Sequence, residues 1–93
     1  MSIHFYNIND KNNPIFCISD DDISDYIALF DLFNSKYNDL FDFYGDFYLY
    51  KNHIEFLIQE ITKNKLLNKK QSEFLSFLEF SKSTNINIYV IGD

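Results

Sequence analysis

The sequence predicts an α+β fold, in which a small antiparallel or mixed sheet, built from an N-terminal hairpin and a C-terminal strand, packs with about three helices. Three observations lead there. Both ends of the chain, Ser2 to Ile8 and Ile86 to Ile91, alternate their side chains with the period of a strand. The middle repeats apolar residues every three or four positions, the period of a helix. The 93 residues, 46% hydrophobic and 19% aromatic, suffice for one hydrophobic core but not two, so residues 1–93 are expected to form a single domain.

In chain order, SIHFYNI puts Ile3 and Phe5 on one side of a strand and His4, Tyr6 and Ile8 on the other. Asn9 to Pro14 is the densest turn signal, and Ile15 to Ile18 supplies the second strand of a hairpin. Ser19 offers an N-cap hydroxyl with Asp22 three residues on, and Asp20, Asp21 and Asp22 suit the positive end of a helix dipole. A helix is therefore expected from Ser19 to about Lys36. Its buried stripe is Ile23, Tyr26, Ile27, Phe30, Phe33 and Tyr37, with Asp21, Asp25 and Asp31 outside it.

From Asn38 to Tyr50 no clean period survives. Gly45 predicts a turn with a positive φ angle, followed by a short strand from Phe47 to Tyr50. Asn52 and Glu55 form a cap pair for a second helix that ends near Asn64, where Lys63 and Lys65 complement the dipole. Asn68 and Gln71 repeat the arrangement for a third helix, in which Phe74, Leu75, Phe77, Leu78 and Ser81 share a face as far as Ser83. These two helices are expected to pair antiparallel. In the closing strand Ile86, Ile88 and Val90 oppose Asn87, Tyr89 and Ile91, and the strand is expected to join the sheet begun by Ser2 to Ile8.

The formal charge of −6 is uneven: residues 1–50 hold nine acids and two lysines, residues 51–93 five acids and six lysines. Between Ser19 and Tyr50 the acids Asp20, Asp21, Asp22, Asp25, Asp31, Asp39, Asp42 and Asp46 are interleaved with ten aromatic rings, and Lys36 is the one cation of that stretch. Ionised carboxylates resist burial unless paired, so most of these face water or a cationic partner. Phosphate recognition needs cations, and the chain has no arginine to form a bidentate fork. Direct nucleic-acid binding and anionic membranes are therefore disfavoured, and a basic protein is the favoured partner.

No reaction chemistry is written in the chain. The two histidines, His4 and His53, belong to no metal-binding spacing, the glycines are isolated, and Asp20 to Asp25 lacks the glycine and terminal glutamate of a calcium loop. Cys17, flanked by Phe16 and Ile18 with no histidine or lysine beside it in sequence, reads as a buried apolar thiol, and a single cysteine fits a reducing, cytoplasmic setting. Met1 to Asp10 has neither the cationic start nor the apolar run of a signal peptide, and no apolar run here is long enough to span a bilayer, so neither is expected. The expectation is a non-enzyme with no metal and no cofactor. Tyrosines set among carboxylates, above all Tyr44 and Tyr48, offer a ring and a hydroxyl together, as interface anchors do.

The acidic aromatic stretch Asp20 to Asp46, the strand-helix opening and the closing Tyr89-Val90-Ile91-Gly92-Asp93 resemble the small immunity proteins that bacteria encode beside contact-dependent growth inhibition and other polymorphic toxins. That resemblance implies stoichiometric neutralisation of a cognate toxin domain, in many cases a basic nuclease. The resemblance transfers no functional residue by motif; from the acidic aromatic stretch itself, Asp21, Asp22, Asp25, Asp39, Asp42 and Asp46 are expected to supply the charge that draws the toxin in, with Tyr44 and Tyr48 as anchors. Two other classes stay open. A nucleic-acid mimic would use the same carboxylates in a longer and more regular array. A non-catalytic interaction subunit, including a homodimer, would dock through apolar helix faces.

Overall fold

The computed structural model describes residues 2–64 and 69–92. The first strand, β1 (Ile3–Asn7), pairs antiparallel with β2 (Phe16–Ile18) in the expected hairpin, Ile3 opposite Ile18 and Phe5 opposite Phe16. A 3₁₀ helix (Asp20–Asp25) leads into α1 (Ile27–Tyr37), and a loop returns to β3 (Asp46–Leu49). Then come α2 (Lys51–Asn64), α3 (Lys69–Ser83) and β4 (Ile88–Gly92). The sheet runs β2-β1-β4-β3 and every pairing is antiparallel, so the last strand enters beside the first as its alternation predicts. Lys65 and Asn68, read as dipole and cap residues, lie outside the described residues.

One face of the sheet meets the helices. Ile3, Phe5, Ile18, Phe47, Leu49, Ile88 and Val90 are buried there, together with Phe30 and Phe33 of α1, Ile54, Leu57 and Ile61 of α2, and Phe74, Phe77 and Leu78 of α3. Phe74 is the hub of this layer. Its ring lies within 5.5–6.2 Å of the rings of Phe5, Phe16, Tyr26, Phe30 and Phe77. Phe41, from the loop before β3, stacks on Phe30 at 3.8 Å and meets Phe47 at 4.6 Å, which closes the core on the β3 side. The end of α3 returns to the start of α2, Lys82 Nζ lying 4.0 Å from Glu55, so the two helices are antiparallel as expected.

The first helix departs from its predicted form. Ser19 makes no side-chain cap bond, and six residues form a 3₁₀ helix before the backbone resets at Tyr26 (φ −112, ψ −8). A 3₁₀ turn advances three residues, not 3.6, so a stripe counted through the joint slips off its face. Counted from Tyr26, the α-helical face is Tyr26, Leu29, Phe30, Phe33 and Tyr37. Ile27, expected in the core, is 45% exposed, whereas Leu29 is buried.

Two further expectations are corrected. Neither described glycine has a positive φ; among the described residues the left-handed ones are Asn38, Asp39 and Asn85, whose polar side chains tolerate that region. The turn at Gly45 instead rests on Asp42, whose carboxylate accepts the Tyr44 N–H at 2.9 Å. At the start of α2 the cap is not Asn52, which is already helical. The Tyr50 N–H donates to His53 Nδ1 at 2.9 Å, a histidine in the position where a capping box places Glu or Gln. That bond needs a neutral imidazole, and burial lowers the His53 pKa in the same direction.

Candidate functional site

Four of the eight residues picked out by sequence stand together along the edge strand β3 and the turn that feeds it. Asp42, Tyr44, Asp46 and Tyr48 are all exposed, Tyr44 at 77% the most exposed of the large apolar side chains among the described residues. The strand period explains the outward set: Phe47 and Leu49 point into the core, so Asp46, Tyr48 and the following Tyr50 point away.

The turn is held on its other side by β4. The Gly92 N–H donates to the Gly45 carbonyl at 2.7 Å, and a Cβ on Gly92 would meet the backbone carbonyl of Phe43. Only glycine allows this approach, so the closing Ile-Gly of the chain positions the acidic turn.

The remaining candidates lie elsewhere. Asp21, Asp22 and Asp25 belong to the 3₁₀ helix that follows β2, the opposite edge strand of the sheet, which lies roughly 14 Å from β3 across three strand spacings. There Gln71 of α3, itself buried, donates to the Asp25 carbonyl at 2.6 Å, so this group is backed by helix. Asp39 follows the C-terminus of α1, a helix of 11 residues, and so sits about 16 Å along that axis from the 3₁₀ helix. The six candidate acids thus do not form one array: Asp21, Asp22 and Asp25 are set apart from the other three.

The helices cover one face of the sheet; the other is open, and sequence reasoning did not assemble it. Two cross-strand rows lie there. Cys17, His4, Ile91 and Asp46 make one, and Tyr6, Tyr89 and Tyr48 the other, each residue directly opposite the next. The tyrosine rings follow one another at 6.3 Å and 5.1 Å, with Tyr50 a further 6.2 Å beyond Tyr48. Tyr89 donates its hydroxyl to Asp46 Oδ2 at 2.8 Å, which raises the Tyr89 pKa, and Lys11 holds its ammonium 4.2 Å from the Tyr89 ring centre and 5.5 Å from that of Tyr48. The available signal was the alternation itself, which assigns Tyr6 and Tyr89 to the outer side of their strands; what joins them is the register.

Cys17 is exposed, not buried as expected. Phe16 and Ile18 turn inward, so alternation turns the thiol out, and the hairpin sets Sγ 3.6 Å from His4 Nδ1. Partial desolvation by its neighbours raises the pKa of the otherwise exposed thiol. Among the described residues no three His, Cys, Asp or Glu side chains are gathered as a metal would need, and no helix is long and apolar enough to cross a membrane. Comparison with protein-family models, curated proteins and solved structures finds no match to this chain.

Proposed function

We propose that this protein is an immunity protein that binds and neutralises a cognate basic toxin domain, with no catalysis of its own, through the acidic aromatic edge formed by Asp42, Tyr44, Asp46 and Tyr48. The observation that carries the reading is this juxtaposition of exposed carboxylates and exposed tyrosines along one edge strand and the turn that feeds it. Carboxylates at a rim speed encounter with a basic partner, and tyrosines supply contact area at little entropic cost. A protein that must capture a lethal partner quickly gains most from the first of these, because steered association exceeds ordinary docking rates.

The dispersal of the acids weighs against nucleic-acid mimicry, which needs a long regular array of negative charge. The test is to mix the purified protein with the toxin domain encoded beside it and follow complex formation and toxin activity together. One-to-one binding that abolishes activity is the expected result. Absence of a complex at low and at high salt discards the proposal and leaves the interaction-subunit reading, in which apolar docking is nearly indifferent to salt.

A further inference from the structure

We infer that the tyrosine row on the open sheet face, Tyr6, Tyr89 and Tyr48, is a docking surface for arginine or lysine side chains of a basic protein segment, and that Lys11 occupies it in the free protein. The inference deepens the proposed function and rests on its basic partner. Three features point to a cation as the occupant. A cation is already there: the Lys11 ammonium lies over two of the rings, inside the distance at which the ring quadrupole attracts it. The Tyr89 hydroxyl donates to Asp46, which shifts electron density into the ring and places a carboxylate at the end of the row. Asp46 stands on the adjacent edge strand, so a guanidinium stacked on Tyr48 or Tyr89 has a carboxylate partner within the same patch.

The same row of rings has the form of a stacking platform for single-stranded nucleic acid. Charge decides between the two occupants. Such platforms combine rings with a cationic groove, and here the first 50 residues carry nine acids against two lysines. A base stacked on Tyr48 would bring its phosphates toward Asp46, whereas a cationic side chain is drawn to both.

Ring proton shifts of Tyr6, Tyr48 and Tyr89 are followed by NMR while oligoarginine, and separately oligothymidylate, is titrated into the intact protein. Oligoarginine should shift all three rings and oligothymidylate none. Tyr89→Leu should weaken oligoarginine binding about two- to fivefold, the range expected for one exposed cation–π contact, while Tyr89→Phe keeps the ring and most of the affinity. Lys11→Gln should strengthen binding by a similar factor and Lys36→Gln, which removes the same charge beside Phe56, by less. Unshifted rings, unchanged affinity in folded Tyr89→Leu, equal effects of the two lysine variants, or rings shifted by oligothymidylate instead would each overturn the inference. Toxin binding separates the two claims. A toxin bound equally by wild type and Tyr89→Leu leaves the immunity reading intact and removes this surface from it. Oligoarginine bound on the rings with no toxin bound does the reverse.

Discussion

Replacing Gly92 with alanine should cost far more than the addition of one methyl group suggests. The new Cβ would collide with the carbonyl oxygen of Phe43, lie 2.5 Å from its carbonyl carbon and 3.2 Å from the Asp42 carbonyl oxygen. All three atoms are backbone and cannot rotate away. The turn Asp42–Gly45 must move off β4, and the 2.7 Å hydrogen bond from Gly92 N–H to the Gly45 carbonyl is lost with it. The bond contributes about 1 kcal/mol and overpacking costs about 1–3 kcal/mol, giving about 2–4 kcal/mol in all.

For a chain of this size each kcal/mol lowers Tm by about 4–8 °C, so a fall of at least about 8 °C is expected. Urea unfolding followed by circular dichroism measures the same quantity through the midpoint at constant slope. Gly45→Ala is the internal control. Its Cβ would lie 2.5 Å from Asp42 Oδ2, the far end of a flexible side chain that can turn aside at the loss of its bond to the Tyr44 N–H, for about 1 kcal/mol. If Gly92→Ala unfolds within about 0.5 kcal/mol of wild type, or Gly45→Ala is the costlier change, the account of how the turn is held is wrong.

Other perturbations follow from the same structure. Leu29→Asp should destabilise by at least about 3 kcal/mol whereas Ile27→Asp stays within about 0.5 kcal/mol, measured by urea unfolding; equal costs would contradict the break at Tyr26. The folded-state pKa of His53 is lowered, so the unfolded chain binds the proton more readily, and the stability that the neutral cap contributes is complete above the ordinary value of 6.5 and lost as pH falls below it. His53→Gln keeps an acceptor without titrating, and between about pH 7.5 and 5.5 wild type should lose more stability than this variant; parallel pH profiles would refute the cap. Phe74→Ala, which removes the hub of the ring cluster, should cost about 3–5 kcal/mol, and a near-neutral result by thermal melting would mean the cluster does not hold the layers together.

The sheet was legible in the sequence because its signals are local. Alternation in SIHFYNI and in Ile86 to Ile91 separates inner from outer side chains without any knowledge of partners, and Asn9 to Pro14 can only be a turn. The helical face of Phe74, Phe77, Leu78 and Ser81 was equally plain. Ile27 falls on the apolar stripe only when one periodicity runs through the change of helix type at Tyr26, and 3₁₀ geometry leaves no mark in a list of apolar spacings. The site was half legible: exposure of Tyr44, Asp42, Asp46 and Tyr48 followed from their setting among carboxylates, but their separation from the Asp21 group depended on strand order. Registers such as Tyr6–Tyr89–Tyr48 and His4–Cys17 join residues far apart in the chain, and spacing along the sequence carries no trace of them.

The central claim is that the acidic edge of β3 draws in a basic toxin. It is tested most directly by the association rate of the toxin domain with wild type and with the Asp42→Asn, Asp46→Asn double variant, at low and high salt. Asparagine keeps the acceptor oxygens used by the Tyr44 N–H and the Tyr89 hydroxyl, so only charge is removed. The account predicts a wild-type rate that falls steeply with salt and a variant roughly tenfold slower at low salt, the two converging at high salt. A variant that associates as fast as wild type at low salt would contradict it.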